Sequence, residues 1–136
     1  MPAYSAQIDC FLQRFREGHR EDAFFGLLEM DHDVLPELMA AFRAERDAQV
    51  RAFIVEVIWQ HRQQSAIPLL GEALRDSEPT VWRQALDGLV SLASPAALEV
   101  LRAARTRRFP GPRDTGESRH WLEEAIAQTE SGTPRG

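Results

Sequence analysis

The chain has 136 residues, close to the usual size of one domain, so we expect one folded unit with its own core. Apolar residues make up 43% of it and charged residues 27%, which excludes a disordered chain, and no run approaches the roughly 20 apolar residues of a membrane span. The net charge of −5 argues against broad, non-specific nucleic-acid binding.

Apolar residues recur at helical spacing along almost the whole chain, and no segment alternates with period two. An all-α protein without a sheet is therefore predicted. Its helices are short and are joined by short turns, which favours antiparallel hairpins. In chain order, the eight predicted helices carry their apolar stripes within residues 8–15, 23–28, 35–42, 50–61, 67–74, 81–92, 98–104 and 121–126.

Polar residues mark several of the predicted helix starts. Asp33 and Ser65 precede apolar stripes and are expected to cap them, because their side-chain oxygens can accept from the free N–H groups of a first turn, and further helices are expected to begin at Asp47 and at Ser94. The last helix is expected from about Ser118. Before it, two prolines and two glycines within residues 109–117 predict a loop, which is either a binding element or a solvated connection.

The chain also contains an internal repeat. Residues 34–38 match residues 66–70 at an offset of 32, and residues 97–101 follow residues 66–70 by 31. Val50 and Arg51 match Val81 and Trp82, again at an offset of 31. A fixed period of this size is typical of solenoids built from two-helix units, which bury their apolar faces by stacking.

The repeated residues resemble a known family. Residues 47–51, Asp-Ala-Gln-Val-Arg, match the Asp-x-x-Val-Arg start of a second helix in short, PBS-lyase-type HEAT-like repeats. The next copy departs from this pattern, since Glu78 replaces the acid and the arginine is displaced to Arg83. The resemblance covers repeats at about 33–62 and 64–93. It implies a short right-handed α-solenoid of about four HEAT-like hairpins over residues 1–130, with capping hairpins and a frayed tail at 131–136.

Catalytic and metal-binding motifs are not recognisable. The chain has no phosphate-binding glycine loop, no His-Glu-x-x-His and no Gly-x-Ser-x-Gly. Asp31, His32 and Asp33 are potential metal ligands, but adjacent residues point in different directions, so we expect no metal and no cofactor. The single cysteine, Cys10, excludes an intramolecular disulfide. The N-terminal residues show neither a basic start nor an apolar run of the kind found in a secretory signal. Together with the single cysteine, this leads us to expect a cytoplasmic protein.

Surface residues on the second helices are therefore the candidate site. In HEAT-like stacks these helices lie side by side, so residues 31 apart should be neighbours. The predicted partner-binding residues are Arg51, Glu56, Trp59, Trp82, Arg83 and Asp87. Whether the two tryptophans of this set are exposed or belong to the core stays open at this point. The mixture of aromatic and charged side chains in the set is typical of protein interfaces.

Charge is unevenly distributed along the chain. Residues 17–37 hold seven acidic residues and one arginine, a net charge of −6, whereas residues 99–119 hold six arginines and three acidic residues, a net charge of +3. We expect the acidic segment around Asp31 and Glu37 to form a secondary binding patch.

Two functions are consistent with these features. The first is a non-catalytic protein-binding module, such as a small inhibitor similar to the HEAT-like immunity proteins that neutralise toxins, with a basic toxin as a possible partner. The second is an enzyme or enzyme subunit, since HEAT-like repeats also occur in bilin lyases and in DNA glycosylases. The sequence favours the first, and we expect neither a membrane nor a nucleic acid as its partner.

Overall fold

The computed structural model describes residues 3–106 and 116–132, and within them every regular element is helical. The all-α prediction is thus confirmed. Two single turns of 3-10 helix, His32–Val34 and Gln64–Ala66, precede the third and fifth α-helices. The α-helices are α1 (Ser5–Arg16), α2 (Arg20–Leu28), α3 (Leu35–Ala44), α4 (Ala48–Gln60), α5 (Ile67–Ala73), α6 (Pro79–Leu92), α7 (Pro95–Arg105) and α8 (Gly116–Gly132).

Successive helices pack as hairpins, and the hairpins stack. Helices α1 and α2, α3 and α4, α5 and α6, and α7 and α8 form the four pairs. Helix α4 packs against both α2 and α6, and α6 in turn packs against α8. The second helices of the pairs therefore form one layer, called here the second-helix layer, as the repeat predicted. The first helices form the other layer, in which α5 packs against α7.

Both predicted caps are wrong, whereas the helices predicted to begin at Asp47 and Ser94 are capped by those residues. The Asp47 side chain accepts from the backbone N–H groups of residues 49 and 50, and Ser94 accepts from that of residue 97. Neither Asp33 nor Ser65 caps a helix, because each lies within a 3-10 turn that carries the chain into the α-helix. Pro36 and Pro68 follow at the second helical position, where they remove an N–H group that a cap would bind.

The hydrophobic core runs continuously through the stack. Ile58, Leu70 and Leu89 are fully buried, as the apolar stripes predicted. Helix α4 contributes most of its side chains to this core, because it is enclosed by neighbours on several sides. No helix in the described ranges is long and apolar enough to cross a membrane.

The last helix differs from the prediction at both ends. It begins at Gly116, two residues before the predicted start, and so includes the end of the segment expected to be a loop. It continues to Gly132, which takes in the first two residues of the predicted tail. The remainder of that loop, residues 109–115, and of that tail, residues 133–136, lies outside the described residues.

Candidate functional site

Arg51 joins two turns of the stack. Its Nε and Nη2 atoms donate to the two carboxylate oxygens of Asp76 at 3.2 and 3.3 Å, and Nη1 donates to the carbonyl oxygen of Arg46 at 2.5 Å. The Asp76 carboxylate also accepts from the backbone N–H of Glu78 at 2.9 Å. Since the side chains of Arg51 and Asp76 are both only 16% exposed, this arrangement fixes the α3–α4 turn to the α5–α6 turn.

Trp82 belongs to the core, whereas its neighbour Arg83 is exposed. Trp82 is 2% exposed. The Arg83 guanidinium lies over the Trp82 ring at 5.4 Å and over the Trp121 ring at 5.2 Å. Arg83 therefore links α6 to α8 by cation–π contacts on both indoles.

Trp59 is the second tryptophan of the predicted set, and it is held tightly between α4 and α6. It is 8% exposed, and its Nε1 donates to the side-chain oxygen of Gln84 at 3.0 Å. A Cβ atom placed on Gly88 would lie only 2.7 Å from Trp59 Cγ. The glycine thus provides the space in which this indole packs.

A groove of about 340 Å³ crosses the second-helix layer at its C-terminal end. Three successive second helices contribute to it, and we call it the α4–α6–α8 groove. Trp121, which is 41% exposed, forms its most prominent aromatic wall. The groove is lined by Trp59 of α4, by Leu86, Asp87, Val90 and Ser91 of α6, and by Trp121, Glu124, Ala125 and Gln128 of α8.

The charged side chains in the described lining of the groove are acidic. They are Asp87 and Glu124, with no basic residue among the described lining, while the guanidinium groups of Arg62 and Arg83 lie over the Trp59 and Trp121 rings at 5.5 and 5.2 Å. Burial raises the pKa of the Asp87 carboxyl above its ordinary value. Within the described part of the chain, no hydrogen-bond or ion-pair partner compensates for that loss of solvation. Glu124 has one weak partner, His120, whose Nε2 lies 3.8 Å from its carboxylate oxygen.

Trp121 and Glu124 are groove residues that the sequence analysis missed. Trp121 was assigned to the apolar stripe of the last helix, but the buried stripe consists of Leu122, Ala125 and Ile126. A helical signal for the groove was nevertheless present. Positions 121, 124, 125 and 128 have the spacing i, i+3, i+4 and i+7, so they form a second stripe of mixed polarity beside the buried one.

Glu56 lies in a separate depression of about 250 Å³ further toward the N-terminal end of the same layer. It forms an ion pair with Arg20, whose guanidinium lies over the Phe53 ring at 6.0 Å. Gln84 lines this depression and also binds Trp59, which borders the groove. Glu56 and Asp87 thus share the second-helix layer but line different cavities.

The predicted acidic patch lies beside the first-helix layer. Glu37 belongs to α3 and accepts from the backbone N–H of Tyr4 at 2.9 Å, while Asp33 accepts from the Tyr4 hydroxyl at 2.8 Å. Asp31 is exposed just before α3. None of the three lines the α4–α6–α8 groove.

The segment of Asp31, His32 and Asp33 does not converge on a metal position. His32 Nδ1 lies 3.1 Å from Nδ1 of His61, which is buried, and Asp33 binds Tyr4 instead. In residues 3–106 and 116–132, no group of three or more His, Cys, Asp or Glu side chains is arranged to hold a metal ion.

A family model described as HEAT repeats matches residues 35–115, more than half of the chain. The chain belongs to the HEAT repeat family. HEAT repeats generally serve as non-enzymatic scaffolds for protein interaction. Neither a curated protein nor a solved structure matches the chain significantly.

The HEAT match and the groove overlap only in part. The matched span includes α4 and α6, which supply Trp59 and Asp87. Helix α8, which supplies Trp121 and Glu124, follows the matched span. The groove is therefore formed where the matched HEAT units meet a helix that lies outside the matched span.

Proposed function

We propose that this HEAT-repeat protein is a non-catalytic binding module that captures a basic partner protein on its second-helix layer. One observation carries the proposal: the α4–α6–α8 groove combines a broadly exposed tryptophan, Trp121, with a carboxylate, Asp87, that has no partner in the described residues. Exposed tryptophans in concave sites are frequent anchors of protein interfaces.

The charge of the groove supports a basic partner. Asp87 is exposed on α6, partial burial raises the pKa of its carboxyl, and a cation supplied by a partner would favour its charged form. The net charge of −5 acts in the same direction, because it would speed the encounter with a basic protein.

Within this proposal, the protein acts as a small inhibitor of the immunity type, which neutralises a toxin by covering its basic active surface. The predicted binding residues divide accordingly. Glu56, Arg83 and Asp87 present charge on the second-helix layer, and Trp59 supports the groove from α4. Arg51 and Trp82 contribute through the stability of the stack, and Asp31 and Glu37 remain a proposed secondary patch.

The enzyme alternative also has an observation in its favour. A carboxyl with a raised pKa beside two indoles, as at Asp87, is an arrangement that a HEAT-like DNA glycosylase could use. The absence of a basic residue from the described lining disfavours a DNA backbone there. Retention of the protein on immobilised DNA at low salt would favour this alternative. In that case Arg83→Ala, which removes a positive charge, should weaken the retention more than Asp87→Arg does.

The main proposal is tested by capture from a lysate of cells that naturally make the protein, with immobilised variants compared by quantitative mass spectrometry. We expect a partner that is retained by the wild type and lost with Trp121→Ala and Asp87→Arg. Glu99→Arg is the matched control for Asp87→Arg, because Glu99 is exposed on α7 in the first-helix layer and lies outside the groove. A captured protein that is lost equally with this control would contradict the proposal.

A further inference from the structure

We infer that the α4–α6–α8 groove receives an arginine side chain of the partner, with its guanidinium between the Trp121 indole and the carboxylates of Asp87 and Glu124. This inference rests on the proposed function and specifies the chemistry of the partner.

The lining selects for a cation with an apolar stem. Leu86, Val90 and Ala125 provide apolar surface in the groove, while the two carboxylates provide its charge. A long basic side chain satisfies both requirements, since its methylene groups pack on apolar surface while its head reaches the acids. An acidic or a purely apolar group would leave the exposed Asp87 carboxylate without an ionic partner.

The aromatic wall favours arginine over lysine. Trp121 is 41% exposed, and it already stacks with one guanidinium of the chain itself, that of Arg83 at 5.2 Å, which shows that this indole is compatible with such a contact. A planar guanidinium can stack on an indole and donate paired hydrogen bonds to a carboxylate at the same time, whereas an ammonium group acts as a point charge. Two acids next to a tryptophan therefore suit the planar head best.

The test uses the capped tripeptide acetyl-Gly-Arg-Gly-amide, with versions that carry lysine or citrulline in place of arginine. Citrulline has nearly the shape of arginine without its charge. Binding is followed by NMR through the indole N–H signal of Trp121, which the Trp121→Phe variant assigns. We expect saturable binding of the arginine peptide, weaker binding of the lysine peptide and no saturable shift with citrulline.

Isosteric variants then locate the cation. Asp87→Asn should lower the affinity for the arginine peptide about tenfold, which is the loss expected for a hydrogen bond between charged groups. Glu124→Gln should lower this affinity less. The control Glu99→Gln, on α7, should leave its affinity unchanged. The bound guanidinium should also lower the pKa of the Asp87 carboxyl in the wild type, and the citrulline peptide should leave it unchanged.

Failure of the inference and failure of the proposed function give different results. Equal affinity for the arginine and citrulline peptides, or an unaltered affinity in Asp87→Asn, would overturn the arginine site even if Trp121→Ala still abolished capture of the partner. If the peptide binds as expected and the partner is captured equally by all groove variants, the arginine site stands and the proposed function fails.

Discussion

Replacing Gly88 by alanine probes the contact that holds Trp59 at the edge of the groove. A Cβ atom at this position would lie 2.7, 2.8 and 2.9 Å from Cγ, Cβ and Cδ1 of Trp59. These distances are too short for real carbon atoms, so either α6 must move away from α4 or the indole must turn. If the indole turns, it loses the hydrogen bond from Nε1 to Gln84, which is 3.0 Å long.

Two opposing terms set the size of the effect. Alanine is favoured over glycine in a helix interior by about 1 kcal/mol. Overpacking a tight contact costs about 1–3 kcal/mol, and loss of a hydrogen bond adds about 1 kcal/mol. We therefore expect Gly88→Ala to lower the free energy of unfolding by about 1–3 kcal/mol, which corresponds to a fall in melting temperature of roughly 3–10 °C for a chain of this size.

Thermal unfolding followed by circular dichroism measures this change, and Gly71→Ala is the matched control. A Cβ atom on Gly71 of α5 would lie 3.1 Å from one methyl group of Val100, a contact that a small shift relieves. The melting temperature of Gly71→Ala should therefore stay within about 3 °C of the wild type, since the helix propensity gained and the packing energy lost are each about 1 kcal/mol. An unchanged or raised melting temperature for Gly88→Ala would refute the packing argument.

Three further changes test the core and the titrating groups. Leu89→Ala should lower the free energy of unfolding by about 2–5 kcal/mol in urea titrations, because Leu89 is fully buried; an unchanged value would contradict the repeat register. Burial lowers the pKa of His61 from 6.5, so the unfolded chain binds the proton more readily, and stability should fall as the pH drops below about 6.5; His61→Gln should flatten that dependence. Burial raises the pKa of Asp87 from 3.8, so the charged form of this carboxyl lowers stability. Asp87→Asn should therefore raise the melting temperature at pH 7 and leave it unchanged at about pH 3. An equal rise at both pH values would exclude a charge effect.

The parts of the fold that follow from local patterns were predictable. Helical periodicity alone located α4 and α6, because their apolar stripes are long and regular. The cap at Asp47 was predictable for the same reason, since it depends only on residues two and three positions later. The cap predicted at Asp33 failed because a single 3-10 turn, which periodicity does not reveal, shifted the N-cap of α3 by one residue, to Val34.

The site depended on contacts that the sequence does not display. The repeat correctly predicted that the second helices lie side by side, but it could not show that Arg51 turns toward Asp76, 25 residues away. That pairing depends on how two turns approach each other in space. Trp121 was missed because helix α8 has two adjacent stripes, and only packing against α6 and α7 decides which of them is buried.

The most direct test of the central claim is photo-crosslinking from single positions on the two layers. A photoreactive amino acid replaces Ser91, which is exposed at the groove, or Ala103, which is exposed on α7. Each variant is irradiated in a lysate of the native cells, and the crosslinked proteins are identified. We expect one basic protein to be crosslinked from Ser91 and not from Ala103, with the crosslink lost when Trp121→Ala is added. Crosslinking of the same protein only from Ala103 would contradict binding through the second-helix layer, and crosslinking from Ser91 independently of Trp121 would contradict binding at the α4–α6–α8 groove.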